Sequence, residues 1–223
     1  MGAAVWPGIS PRLFSGQNNY MIDEAIFDIE TQKLFSEVEE GDPALLGVSL
    51  VSVYLRKVDE SQREIEGMMK SFWENELSEF WPTLTHVKRI IGFNSLKFDV
   101  PVLRPLAPPT FTRLPHFDIM NTVREALGHN LSLAVLAQET LGVGKTDNGL
   151  NAVVYWKSQN PEQLRKLREY CEADVLLTRD LYDYGVRNKH LKYVDKWNNP
   201  KTFPVDFSYP KEVLDASRQM GMF

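Results

Sequence analysis

Ala25-Ile26-Phe27-Asp28-Ile29-Glu30-Thr31 sets two carboxylates inside an apolar run. A strand buried on both faces reads as nearly continuous apolar residues, and Ala25, Ile26, Phe27 and Ile29 fit the centre of a sheet. Strand side chains alternate, so Asp28 and Glu30 share one face. An Asp-x-Glu alone is a weak signal, because acidic residues are common at strand ends and turns. Inside a buried strand it is different, since a carboxylate pair there is costly unless it coordinates something.

Working outward, Leu45 to Leu55 is rich in β-branched residues and reads as a second strand, with Asp42 and Pro43 marking the turn before it. Ser61 to Phe80 carries Ile65, Met68, Met69, Phe72, Trp73, Leu77 and Phe80 at helical spacing, which predicts an amphipathic helix. Val87 to Phe93 is a further strand, whose end delivers Asn94 and Asp99. Leu114 to Phe117 predicts a short strand, and Asp118 caps a helix ending near Gly128. Leu131 to Leu141 forms another helix, stopped by Gly142. Pro161 opens a long helix running to about Gly185, with Leu164, Leu167, Tyr170, Cys171, Asp174, Leu177 and Leu181 on its inner side. Strands followed by strands mixed with helices predict an α/β layered sheet. Residues 1–20 read as an irregular arm, 21–187 as the domain, and 188–223 as an extension with a hairpin around Asn198-Asn199-Pro200.

The 223 residues suffice for one domain with a full core. Apolar residues make up 43% and charged residues 25%, near the average for globular proteins. A net charge of −5 argues against a protein that coats nucleic acid by bulk electrostatics. It leaves a nuclease open, because metal-binding carboxylates contribute negative charge that metals neutralise in use. Cys171 is the only cysteine, which excludes an intramolecular disulfide and fits a reducing cytoplasm. With no signal-peptide pattern and no long apolar span, a soluble cytoplasmic protein with no membrane partner is expected.

Three acidic segments spaced along the chain then converge on one chemistry: Asp28 with Glu30, Asp99 after Gly92-Phe93-Asn94, and Tyr170 with Asp174. Mg²⁺ and Mn²⁺ take hard oxygen ligands, so two such ions close together need several carboxylates from different elements. A helix presents Tyr170 and Asp174, at i and i+4, on one face. The phenol can orient a water there while Asp174 binds metal. Taken singly, Asp99 could be a helix cap, Asn94 a turn residue, Tyr170 a core tyrosine and Asp174 a surface acid. Together they fit hydrolysis of a phosphodiester by two ions.

The segments Phe27-Asp28-Ile29-Glu30-Thr31, Asn94 through Phe98-Asp99, and Tyr170-Cys171-Glu172-Ala173-Asp174 resemble the ribonuclease-H-like 3′–5′ exonucleases called DEDD, in the subgroup with tyrosine in the third motif. The Gly-Phe-Asn-x-x-x-Phe-Asp-Val-Pro form of the second is most similar to the proofreading domain of family B DNA polymerases, although the chain has no room for a polymerase domain. The resemblance covers about residues 21–187 and implies a mixed central sheet flanked by helices. It implies two Mg²⁺ or Mn²⁺ ions held by Asp28, Glu30, Asp99 and Asp174, with Tyr170 positioning water and Thr31, Asn94 and Phe98 beside the substrate. The implied substrate is the 3′ end of single-stranded DNA or RNA, with DNA favoured. Neither the partner nor the proofreading duty of that family carries over to a chain of this length, and the expected kind of protein partner is a polymerase, a helicase or another nucleic-acid-processing protein. A catalytically silent binding module of the same fold is the alternative.

Gly142-Val143-Gly144-Lys145-Thr146 mimics the end of a phosphate-binding loop, but Glu139 stands where its first glycine belongs and a helix precedes it. Lys145 is read either as a contact to the nucleic-acid backbone or as a solvated loop lysine. The four histidines lack zinc-ligand spacing. The tryptophans are scattered and read as core rather than as base-stacking platforms.

Overall fold

The computed structural model describes residues 21–144, 149–211 and 213, so the expected arm at 1–20 and Lys145 lie outside the described residues. β1 (Ile22–Thr31) is the middle strand of a five-stranded sheet of order β3-β2-β1-β4-β5, as its apolar run requires. β2 (Val48–Val58) and β3 (Glu64–Trp73) pair antiparallel on one side. β4 (Arg89–Gly92) and β5 (His116–Asp118) pair parallel on the other. The molecule is thus a mixed sheet flanked by helices, with a separate hairpin of β6 (His190–Val194) and β7 (Pro200–Pro204).

The alternation along β1 sorts the layers. Ala25, Phe27 and Ile29 face a core shared with α1 (Leu77–Thr83) and α2 (Asp99–Leu103), which contribute Phe80, Val100 and Leu103. Ile26 faces the opposite core, built from α3 (Ile119–Leu127), α4 (Leu133–Leu141) and α6 (Pro161–Asn188). A smaller cluster, Leu50 with Ala152, Leu167, Tyr170 and Cys171, joins α5 (Gly149–Ser158) to α6 and the sheet.

Local chemistry fixes the helix ends. The Asp118 carboxylate accepts from the Met120 amide at 2.9 Å, and Asn160 accepts from Glu162 ahead of Pro161. Gly128 and Gly142 close α3 and α4 with φ of 75° and 74°, a conformation that costs glycine nothing. Among the described residues, no helix is long and apolar enough to cross a membrane.

The helix expected over 61–80 is corrected: Glu64–Trp73 is strand β3, and only Leu77–Thr83 is helical. The Asp59 carboxylate accepts from the amides of Ser61 and Arg63, folding a turn that returns the chain alongside β2. Gly67 removes the side chain that would collide with Tyr54, whose hydroxyl lies 2.3 Å from where a Cβ would stand. Ile65 and Met68 remain exposed, so the apolar spacing marks no buried helical stripe. The second strand also starts at Val48 rather than Leu45, because Asp42 caps a short turn over Pro43–Leu45. Helix α5 was not expected from the sequence.

Two buried arginines fasten the tail. Arg56 Nε donates to Glu24 at 2.8 Å, and its other nitrogens donate to Asp183 at 3.1 and 2.9 Å. The Tyr209 hydroxyl donates to the second Glu24 oxygen. Arg89 donates to the Tyr182 hydroxyl and to the carbonyls of Phe207 and Ser208, with its guanidinium 3.8 Å from the Tyr209 ring centre. Phe207 stacks on Tyr182, with ring centres 5.5 Å apart, and fills the space over Gly185.

A Cβ at Gly185 would lie 2.2 Å from the buried Phe207 ring. Gly185→Ala gains about 1 kcal/mol of helix propensity but meets an overpacking cost of about 1–3 kcal/mol or more. The expected outcome is a lower melting temperature by circular dichroism, where an open helical site would give a higher one.

Candidate active site

The register of β1 with β4 ends at Ile26 opposite Ile91, while β1 runs on to Thr31. The sheet therefore opens at the carboxyl end of its middle strand, the place where α/β sheets form ligand crevices. On the α6 side of β1, the Asp28 and Glu30 carboxylates and the Cys171 sulfur lie within 4.8 Å of one another. Tyr170 and Asp174, one turn apart on α6, meet them there, and the phenol is hydrogen-bonded to the Asp174 carboxylate.

A cavity of about 300 Å³ collects these groups. Asp28, Glu30, Thr31, Phe98, Tyr170 and Asp174 form its wall, so six of the nine residues named from the sequence come together. Asp99 is not on that wall. It is buried at the start of α2, one residue after Phe98, and its carboxylate accepts from the Ile29 amide between the two β1 acids. Asn94 is not on the wall either; it stands in the β4–α2 turn, with φ of 63°. Lys145 lies outside the described residues.

The electrostatics follow from burial and crowding of like charge. Burial, with the charge of Asp118 added, pushes the Asp99 carboxyl up to about 7, against the pull of its own amide and that of Ile29. Burial raises the Tyr170 phenol well above its usual range, and the charges of Asp174, Glu30 and Asp28 raise it further. The phenol keeps its proton here and donates it to Asp174. The Cys171 thiol is raised for the same reasons, first by burial and then by Asp28 and Glu30, its S–H is directed at the Asp28 carbonyl at 3.5 Å, and sulfur is a soft ligand that Mg²⁺ and Mn²⁺ do not favour. What remains is a set of hard oxygen donors, which fits Mg²⁺ or Mn²⁺ rather than a soft metal.

Several contributors were not legible as part of the site. Asp118, expected only as a helix cap, also accepts from the amides of Asn94 at 2.8 Å and Leu96 at 3.1 Å. It pins the turn that carries Phe98 and Asp99. Lys33, Phe35 and Val153 line the cavity, and Phe35 packs against Phe98 with ring centres 5.8 Å apart. The pattern of Lys33 and Phe35 just after the first motif was the available signal. Beneath the acids, Ser52 and Ser71 are bonded at 2.9 Å, and Ser71 donates to Glu172 at 2.6 Å, tying β2, β3 and α6 together. A larger cavity of about 400 Å³ lies at the other end of β1, but its buried acid, Glu24, is already bonded to Arg56 and Tyr209.

With this geometry established, comparison with known proteins is informative. A family model described as the RNase H superfamily matches residues 25–186, from within β1 to the last turns of α6. The chain belongs to the RNase H superfamily. The match spans all three acidic segments and the sheet order that carries them. A search of the curated proteins finds no match.

Asp118→Ala tests the pinning of the second segment. It removes the acceptor of three amides, including a helix cap, and should cost roughly 2–4 kcal/mol in urea unfolding. Asp118→Asn, which keeps one carbonyl acceptor, should recover part of that loss.

Proposed function

We propose that this RNase H superfamily chain is a 3′–5′ exonuclease of the tyrosine DEDD subgroup, releasing 5′-mononucleotides from single-stranded nucleic acid, with DNA favoured. The observation that carries the reading is the convergence of Asp28 and Glu30 from β1 with Tyr170 and Asp174 from α6 on one cavity, with Asp99 bonded to the strand between the two acids. These groups lie as many as 146 residues apart in sequence, from 28 to 174, and an accidental meeting of like charges would be unfavourable.

Asp28, Glu30 and Asp174, with Asp99 completing the set, are the residues that would hold two divalent ions. When bound, the ions would supply Lewis-acid polarisation of the phosphodiester and neutralise the charge that develops on it. Tyr170, whose own proton goes to Asp174, accepts a hydrogen bond from the water and fixes its direction towards phosphorus. Phe98 and Phe35 offer apolar surface to the terminal sugar and base, and Thr31 and Lys33 stand at the cavity edge for the phosphate backbone. The products would be a 5′-mononucleotide and a strand with a new 3′ hydroxyl, with no covalent intermediate. A polymerase, a helicase or another nucleic-acid-processing protein is the proposed kind of protein partner, and the cytoplasm the proposed location.

A 5′-labelled single strand should shorten progressively with Mg²⁺ or Mn²⁺ and stay intact in EDTA. Parallel digestion of matched DNA and RNA strands reports the preferred sugar. Internal cuts, or activity surviving chelation, would remove the reading, and a bound but uncut strand would leave only the silent-module alternative.

The roles within the site separate by magnitude. Asp28→Asn removes a metal ligand and should abolish turnover, whereas Tyr170→Phe removes a positioning hydroxyl and should lower kcat by about 10² to 10⁴-fold. Single-turnover rates of both variants make the comparison. A Tyr170→Phe rate equal to wild type would make the phenol structural.

A further inference from the structure

The sheet face that carries the acids continues beyond β1. Glu30 stands opposite Leu50 on β2, and Leu50 stands opposite Trp73 on β3, so the three side chains share the α6 face of the sheet. Helix α5 makes a second connection. Val153 lines the catalytic cavity, and Trp156, three residues on, packs against Trp73 with ring centres 6.0 Å apart and planes 23° from parallel. Both rings are half-buried. They open on a separate cavity of about 250 Å³ whose rim carries Glu74, Asn75, Gln159 and Leu164. The exposed Arg168 guanidinium lies 5.2 Å from the centre of the Trp73 ring.

The sequence reads these tryptophans as core, and both do pack against the cluster of Leu50, Leu167, Tyr170 and Cys171, but their outer sides form one wall of an open hollow beside a cation. We infer that Trp156 and Trp73 form a base-stacking subsite for a nucleotide upstream of the one in the catalytic cavity, with Arg168 beside it for the phosphate. This inference rests on the nuclease reading only for the identity of the strand. The occupant is a nucleobase, for two reasons on the surface itself. The hollow lies beside the catalytic cavity on the same face of the sheet, α5 lining the one with Val153 and the other with Trp156, and it sets aromatic faces beside the Arg168 guanidinium, the combination that holds single strands without regard to sequence. Strands about 4.8 Å apart put Trp73 roughly 10 Å across the sheet from Glu30, so an occupant of both places must be longer than one nucleotide.

The test is a length series of 5′-fluorescein oligothymidylates, from two to six nucleotides, titrated in EDTA and read by fluorescence anisotropy. In wild type, affinity should rise by about tenfold to a hundredfold at the length that first reaches the platform, the range expected for one base on an aromatic ring. Trp156→Ala should flatten that step. Trp156→Phe, which keeps a stacking face, should retain most of it and shows that the loss is not a folding defect. A wild-type series without a step, or a Trp156→Ala series that keeps it, overturns the proposal. The same oligonucleotides with Mn²⁺ separate the two readings. A step without shortening keeps the platform and removes the exonuclease, shortening without a step does the reverse, and no binding at any length removes both.

Discussion

The ion pair between Glu24 and Arg56 is the contact on which the rest of the molecule depends. Both side chains are fully buried, on adjacent strands at the middle of the sheet. Burial by itself disfavours a charged Arg56, yet Glu24 and Asp183 outweigh it and hold the guanidinium more firmly protonated than in water. Removing one partner of such a pair typically costs about 3–5 kcal/mol, because the other is left buried and uncompensated. Through Arg56 the pair reaches α6, and through Tyr209 it reaches the segment after the hairpin, so sheet, long helix and tail are fixed at one point.

That arrangement gives β1 two unlike ends on one face. At its start, opposite charges are matched and closed to solvent. At its finish, Asp28 and Glu30 face Asp174 around a cavity, and crowding of like charge works against folding. Helix α6 bridges the two ends, with Asp183 at the matched one and Tyr170 and Asp174 at the crowded one. Its 28 residues, about 42 Å of continuous helix, turn the matched end into an anchor for the strained one.

The parts of the fold legible in the sequence are those whose signals are local. The alternation around Asp28, the cap at Asp118, Pro161 at the head of the long helix, and the glycines at 128 and 142 each act within a few residues, and the elements they mark are present. The candidate site was legible as residue types for a related reason, since each motif keeps its site residues within a few positions of one another on a single element. What stayed hidden depends on distant partners. The fate of 64–73 was decided by Tyr54 filling the space at Gly67 and by the turn at Asp59, which converted helical spacing into an edge strand. The second duty of Asp118 spans 22 to 24 residues to the amides it accepts. The meeting of Trp73 with Trp156 depends on α5, an element with no strong periodic signature.

The polar pairing at the start of β1 also governs how accurately the chain assembles. Hydrophobic patterning alone fixes which face of a strand is buried, and it tolerates a slip of two residues, since side chains repeat with that period. Slipping β2 by two against β1 would set Glu24 opposite Tyr54 or Val58 and strand a carboxylate in the interior without its cation. Such a misaligned sheet would still look apolar where it should, but it would be heavily penalised at one position. The Glu24–Arg56 pair thus favours the observed alignment over sheets in which the acids of β1 arrive two residues out of place.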